Sequence, residues 1–177
     1  MADSPGASES FAELAIPLIA RIYNLACWLT GERVLAEELV EETYAKALKG
    51  FGSYQAGTSF LAWMYRILRN TFLTTQAGMR AASSIVSDDV TVVEAEGEVP
   101  PEAMSLMRAD EEAIRKALRE LPMHFREIIL LSDVEEMNYK EIGQALSIAV
   151  GTVMLRLFRA RKALRLQLAA SSEGAPA

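Results

Sequence analysis

The chain has 177 residues, 51% hydrophobic and only 7% aromatic, with 24 acids against 18 bases for a net charge of −6. That length holds one ordinary domain or two small ones with a real core, and the negative balance excludes a protein that coats nucleic acid by bulk attraction. One cysteine, Cys27, and one histidine, His124, exclude a disulfide framework and a zinc site built from Cys and His. Met1 to Ser10 lack the basic-then-apolar layout of a secretory signal, and no apolar run is expected to reach membrane-spanning length. The expectation is a cytoplasmic chain without membrane insertion.

From Phe11 to Gln76 the periodicity is helical with short breaks. Pro17 would disturb a helix interior, so a break belongs there. A helix then runs to Thr30, where Gly31 supplies a left-handed stop. Cys27 falls in its apolar pattern and reads as a small core residue. The next helix covers Val34 to Lys49, with Ala36, Val40, Tyr44, Ala47 and Phe51 in register on one side. Glu38, Glu41 and Glu42 project away from that stripe, with Glu37 beside it. No ligand loop or histidine supports a metal site there, so the acids suit a docking face for a basic partner or a solvated surface.

A loop from Gly52 to Gly57 leads to Thr58, read as the N-cap of a helix through Leu73. Phe60, Met64, Ile67 and Thr71 form its inner stripe with Trp63 beside it. Outside lie Tyr65, Arg66, Arg69 and Leu73, with Asn70 at the edge. An aromatic ring among guanidinium groups and an amide offers single-stranded DNA a stacking surface, backbone charge and a hydrogen-bonding edge. A solvated face fits the same residues equally well.

Residues 77–107 change character: one arginine faces six acids, a net −5, with Gly97 and Pro100-Pro101 and no sustained period. They read as a flexible acidic linker. Helices resume from Arg108, with Ile114, Ala117, Leu118 and Leu121 inward in one, and Phe125, Ile128 and Ile129 in another begun near Pro122. Asn138 followed by Glu141 is a capping box that starts a short helix, with Tyr139, Ile142 and Leu146 on its buried side. Gly143, costly in a helix by about 1 kcal/mol, implies a close approach of two helices.

After a turn comes a basic helix from Gly151. Val153, Leu157, Ala160, Leu164 and Leu168 form its core stripe. Leu155, Phe158, Arg159 and Lys162 lie opposite, flanked by Arg156, Arg161 and Arg165. No acid occurs between Glu141 and Glu173, the local footprint of a phosphate-facing helix. The pair reads as a helix-turn-helix whose second helix enters the DNA major groove. Residues 171–177 read as a frayed tail. No run alternates well enough for a strand. The expectation is an all-α chain of two small helical domains, 9–76 and 108–170, joined by the flexible acidic linker 77–107. No Ser/His/Asp set, phosphate-cradling glycine loop or metal motif appears, so neither an enzyme nor a cofactor is expected.

These segments together resemble the extracytoplasmic-function group of the bacterial sigma-70 family of RNA polymerase sigma factors. Leu29-Thr-Gly-Glu32, Ala36-Glu-Glu-Leu-Val-Glu-Glu-Thr43, Gly57-Thr-Ser-Phe60 and Trp63-Met-Tyr-Arg-Ile-Leu-Arg-Asn70 are similar to the family's core-polymerase and −10 segments. Leu121-Pro122, Phe125-Arg-Glu-Ile-Ile129, Tyr139-Lys-Glu-Ile-Gly143, Gly151-Thr-Val153 and Arg159-Ala-Arg161 are similar to its −35-binding domain. The resemblance implies an alternative sigma factor that binds core RNA polymerase and directs initiation at particular promoters. It maps polymerase docking onto the helix from Glu37 to Thr43. The −10 element maps onto the loop from Ser53 to Phe60 and onto Tyr65, Arg66, Asn70 and Thr74. The helix from Thr152 would enter the −35 major groove through Met154, Leu155, Phe158 and Arg159. An anti-sigma factor is the further partner implied.

Three departures stand out. The family usually carries a serine at the position of Leu155, and often a polar or basic residue at Met154, so hydrogen bonding there gives way to apolar contact. Thr74-Thr-Gln76 is neutral where a basic cluster often follows. Glu38 and Glu41 replace the frequent Asp and Gln. The first two are also what a sigma-like decoy would show, binding an anti-sigma factor without recognising a promoter. A one-domain helix-turn-helix regulator sensing a ligand would leave the Glu-rich helix unexplained.

Overall fold

The computed structural model describes residues 5–83 and 109–174. Two compact units divide the chain, Met1–Val99 and Pro100–Ala177. Both are all-α, with no strand among the described residues.

The first unit comprises α1 (Pro5–Ala15), a 3-10 turn (Ile16–Leu18), α2 (Ile19–Thr30), α3 (Arg33–Gly50), a second 3-10 turn (Phe51–Ser53) and α4 (Phe60–Ser83). Pro17 lies in the first 3-10 turn, where a missing N–H costs little. Gly31 ends α2 at φ 70° and donates its N–H to the Cys27 carbonyl at 2.8 Å. That left-handed conformation is why the chain turns there into α3.

Helices α2, α3 and α4 pack pairwise around a core that includes Ile22, Leu25, Ala36, Leu39, Met64 and Leu68. Burying each of the larger aliphatic side chains contributes about 1.5–3 kcal/mol. The span Ser10–Thr30 is long and apolar enough to cross a membrane, contrary to the sequence expectation. Here it is broken at Ile16–Leu18 and contributes Phe11, Ile22, Leu25 and Ala26 to the core.

On α3 the buried stripe is Ala36, Leu39, Thr43 and Ala47, with Val40 and Tyr44 only half-buried. The Thr43 hydroxyl donates to the Leu39 carbonyl at 2.6 Å, which lets a polar side chain sit in the core. Tyr44 reaches across to the Ala15 carbonyl at 2.8 Å.

On α4 the expected stripe is buried at Phe60, Met64 and Thr71 and half-buried at Ile67. Leu61, Tyr65, Leu68 and Phe72 are buried beside it, so the inward face is wider than expected. Ser59 rather than Thr58 caps the helix, its Oγ accepting from the Ala62 N–H at 3.1 Å. The Thr58 hydroxyl donates instead to the Gln55 carbonyl at 2.7 Å. α4 also runs on to Ser83, through the first seven residues assigned to the linker. Ala77, Ala81 and Ala82 favour helix strongly, and Arg80 in the last turn suits the negative end of the helix dipole. The remaining linker assignment lies outside the described residues, apart from α4, up to residue 108.

The second unit comprises α5 (Ala109–Glu120), α6 (Met123–Ile129), a π turn (Leu130–Val134), α7 (Tyr139–Leu146) and α8 (Val150–Glu173). α8 packs against α5, α6 and α7. Arg126 ties α5 to α6, donating from Nε to the Leu118 carbonyl at 2.9 Å and from Nη2 to those of Arg119 and Leu121 at 2.5 and 3.0 Å. The Leu118 carbonyl also accepts from the Leu121 N–H at 3.2 Å, and the guanidinium adds side-chain donors to the carbonyls at the end of α5.

Two inward assignments are corrected. Ile114 and Tyr139 are each 41% exposed. Tyr139 is the first residue of α7, where no preceding turn covers it. Ile114 precedes the α5 residues, Ala117 and Leu118, that enter the core. The expected frayed tail is helical as far as Glu173.

Candidate nucleic-acid interfaces

The helix-turn-helix is built as its sequence suggests. The Asn138 side chain accepts from the Glu141 N–H at 2.9 Å, and the Glu141 carboxylate accepts from the Asn138 N–H at 2.8 Å. Ser147, at φ 56°, ends α7 in the left-handed region, and the Ile148 N–H returns to the Gly143 carbonyl at 3.0 Å. A Cβ at Gly143 would stand 2.8 Å from the Ile148 carbonyl oxygen and 3.8 Å from Val153. Glycine therefore allows the close approach that sets α7 and α8 at 96°.

Arg161 fastens α8 to the π turn, with Nη2 2.5 Å and Nε 3.3 Å from the Asp133 carboxylate. Its pKa is held above the usual value chiefly by that hydrogen bond. Both groups are about two-fifths exposed, so their charge attraction is screened and the fixed geometry matters more than the energy.

With Val153, Leu157 and Ala160 buried, α8 turns Thr152, Met154, Leu155, Phe158, Arg159 and Lys162 to solvent. Arg156 is half-buried beside them. All seven expected residues are thus brought to one side. His124 and Phe125 of α6 join Thr152, Leu155, Arg156 and Arg159 around a groove of about 220 Å³. His124 has no role in the sequence reading and Phe125 only an inward one, because only the fold brings the start of α6 beside α8.

The first unit matches less well. Ser53, Arg66, Asn70 and Thr74 are exposed and Arg69 is half-buried. Tyr65, expected beside them, is 1% exposed and belongs to the core. Buried there, it offers a base no ring face, so the assignment of Tyr65 to DNA is withdrawn. Phe60 is also buried, within a cluster of rings. It meets Tyr54 at 5.0 Å edge-on and stacks on Trp63 at 5.4 Å, and Phe51 and Phe11 complete the set.

Tyr54 and Trp63 are half-buried, 5.5 Å apart between ring centres. With the half-buried Phe51 they are the partly open aromatics beside the loop. The signal for them was the density of rings at 51, 54, 60 and 63, which the helical stripe concealed. The loop is held by its own hydrogen bonds: Ser53 Oγ donates to the Gly50 carbonyl and Tyr54 Oη to the Thr58 carbonyl, both at 2.7 Å.

Glu37, Glu38, Glu41 and Glu42 are all exposed along α3. Glu37 pairs with Arg33 at 3.1 Å and Glu42 with Lys46 at 2.8 Å, exposed i,i+4 pairs of little energetic weight. Glu38 and Glu41 make no ion pair among the described residues. Cys27 is half-buried, and burial raises its thiol pKa despite a hydrogen bond to Tyr23 that lowers it. Among the described residues no group of three or more His, Cys, Asp or Glu could hold a metal.

Residues 17–77 match the family model of Sigma-70 region 2, and residues 111–164 that of Sigma-70, region 4. Over 169 residues the chain is 36% identical to the ECF RNA polymerase sigma factor SigE of Mycolicibacterium smegmatis, covering 94% of this chain. It spans 64% of that relative's length. It is 32% identical over 139 residues to the ECF RNA polymerase sigma-E factor of Escherichia coli, which covers 72% of this chain and 70% of the relative. Its fold is similar to the sigma factor RpoE of Bartonella quintana, solved with the anti-sigma factor NepR. The TM-score is 0.71 at 24% identity, over 90% of this chain and 97% of that one.

Proposed function

This chain belongs to the extracytoplasmic-function sigma factors of the sigma-70 family, and from that premise we propose that it binds core RNA polymerase in the cytoplasm and directs initiation at promoters it recognises through −10 and −35 elements. The observation that carries the reading is the outward face of α8. Exposed Thr152, Arg159 and Lys162 stand on a fixed helix-turn-helix with no acid from residue 142 to residue 172. In a chain of net charge −6, such a face supplies the local attraction that phosphates need. The start of the helix would enter the major groove, and Arg156, Arg159 and Lys162 would straddle backbone and base edges.

In the first unit, the loop from Ser53 to Phe60 and the exposed Arg66, Asn70 and Thr74 form the reading surface for an opened −10 strand, with Arg69 at its edge. The rings of Tyr54 and Trp63, half-open beside that loop, take the stacking role that Tyr65 cannot. The Glu37, Glu38, Glu41 and Glu42 face docks on a basic surface of core polymerase. Nucleotide chemistry belongs to the polymerase, and this chain supplies recognition and strand opening. Functional boundaries at 9–76, 77–107 and 108–170 follow from this reading, as does an anti-sigma partner that occludes one or more of these faces.

The test is to mix the purified chain with core polymerase, select bound genomic fragments and map transcript starts. Enriched fragments sharing two spaced elements upstream of the starts are expected. The second reading, a decoy that binds an anti-sigma factor alone, is favoured by the apolar Met154, Leu155 and Phe158 on the outward face. It requires that no fragment be enriched.

A further inference from the structure

Beyond its first residue, Val150, α8 exposes three apolar side chains in its first turns where base edges would lie: Met154 is 54% exposed, Leu155 50% and Phe158 64%. The unit's own packing does not need them, because Val153, Leu157 and Ala160 of the same turns fill the core. Cations border them, with Arg159 and Lys162 exposed and Arg156 half-buried. Leu155 also lines the groove with Phe125, among His124, Thr152, Arg156 and Arg159. An apolar centre with a cationic border fits a ligand that is anionic at its margins and apolar between them. Duplex DNA meets that description at thymine, whose C5 methyl projects into the major groove between two phosphate backbones.

Resting on the promoter-binding reading above, we propose that Met154, Leu155 and Phe158 select −35 sequences by contacting thymine C5 methyl groups. Neither Leu155 nor Phe158 has a polar atom to offer a base, and the Met154 sulfur is only a weak acceptor. Sequence information from these positions therefore comes from methyl burial, while Arg159 and Lys162 supply polar and phosphate contacts. Thymine is favoured where the apolar side chains lie. Cytosine there would present an amino donor to groups that cannot accept it.

The experiment uses holoenzyme reconstituted from the full chain and core polymerase. A best-bound duplex is first selected from randomised −35 sequence. Each thymine in the element is then replaced by deoxyuridine, which deletes the methyl group and leaves the pairing edge intact. Affinity is expected to fall about fourfold at each contacted position, the worth of one buried methyl-sized group. Leu155→Ala or Phe158→Ala should erase that difference at its own position. Arg159→Ala should weaken binding to both duplexes and keep their ratio.

The inference is overturned, with promoter recognition intact, if deoxyuridine is neutral at every position while sequence selection persists. The apolar face would then serve a protein partner. It is equally overturned if the thymine preference survives alanine at Met154, Leu155 and Phe158, because the methyl would then act through DNA shape. Failure to select any sequence sinks the promoter-binding reading itself, and this inference with it.

Discussion

The two basic helices of this chain hold their aromatic and apolar groups in opposite ways. On α8 the core stripe is made of small and aliphatic residues, and Phe158 stands 64% exposed on the far side. On and before α4 the rings are drawn into the protein: Tyr65, Phe60 and Phe72 are buried, and Phe51, Tyr54 and Trp63 partly emerge beside the loop. A stiff helix with outward groups can enter a groove as it stands. A surface made of a loop over packed rings reads a strand only by letting that loop meet it. On the proposed function, the second unit would offer a ready face to duplex and the first a surface to single bases.

The largest effect that bears on this comparison is in neither helix but on α3. Replacing Glu38, Glu41 and Glu42 by lysine puts three cations against a basic partner, a change that like-charge juxtaposition makes costly by several kcal/mol. Holoenzyme formation should be abolished while circular dichroism is unchanged, because all three side chains are exposed. Normal holoenzyme formation by the triple variant would leave the acidic face as solvation only.

Next is Tyr65→Ala, which tests the contrast directly. Truncating a buried ring should cost about 3–5 kcal/mol of folding stability, a large part of what a small domain has. Arg66→Ala, on the exposed side of the same helix, should leave stability within about 0.5 kcal/mol and weaken strand binding instead. Both tryptophans, Trp28 and Trp63, lie in the first unit, so denaturation followed by their fluorescence reports that unit alone. Equal midpoints for Tyr65→Ala and the parent chain would return Tyr65 to the surface.

These outcomes also explain which parts of the chain were legible in its sequence. α8 was readable because its stripe and its cations differ in kind, and Leu155, Phe158, Arg159 and Lys162 were assigned outward by periodicity alone. α4 was not, because Phe60, Leu61, Trp63, Met64, Tyr65, Ile67 and Leu68 crowd every side of its first turns. Two adjacent stripes were then nearly equivalent, and packing against α2 and α3 buries both, adding Leu61, Tyr65 and Leu68 to Phe60, Met64 and Thr71. The rings at 51, 54, 60 and 63 come from a turn, a loop and a helix, so no single period links them. The extension of α4 to Ser83 was hidden because its alanines were averaged with the acids that follow.

A smaller effect is expected at Arg159. If its guanidinium meets a guanine edge, Arg159→Ala should cost about 1–3 kcal/mol and relax preference at one −35 position. If it meets phosphate, the loss should be uniform across sequences and the salt dependence shallower by about one charge. Titrating holoenzyme against single-base variants of the −35 duplex at two salt concentrations separates these. Unchanged affinity and slope would remove Arg159 from the interface.

The smallest effect concerns what holds α8 in place. α7 is only eight residues long, too short to be stable by propensity, so its capping box and its packing must define it. Asn138→Ala deletes the acceptor for the Glu141 N–H and leaves the Glu141 carboxylate still able to receive the residue 138 N–H. One of two reciprocal bonds is lost, for about 1 kcal/mol. Asn138→Asp keeps the acceptor and adds a negative charge at the positive end of the helix, so it should match the parent or exceed it slightly. Amide exchange in α7 and the start of α8 should quicken in Asn138→Ala and not in Asn138→Asp. Thymine preference and salt slope should be the same in both, because the cap is on α7 and the reading groups are on α8. If Asn138→Ala is as stable as the parent and exchanges no faster, the cap contributes nothing, and α7 is held by Ile142, Gly143 and Leu146 packing alone.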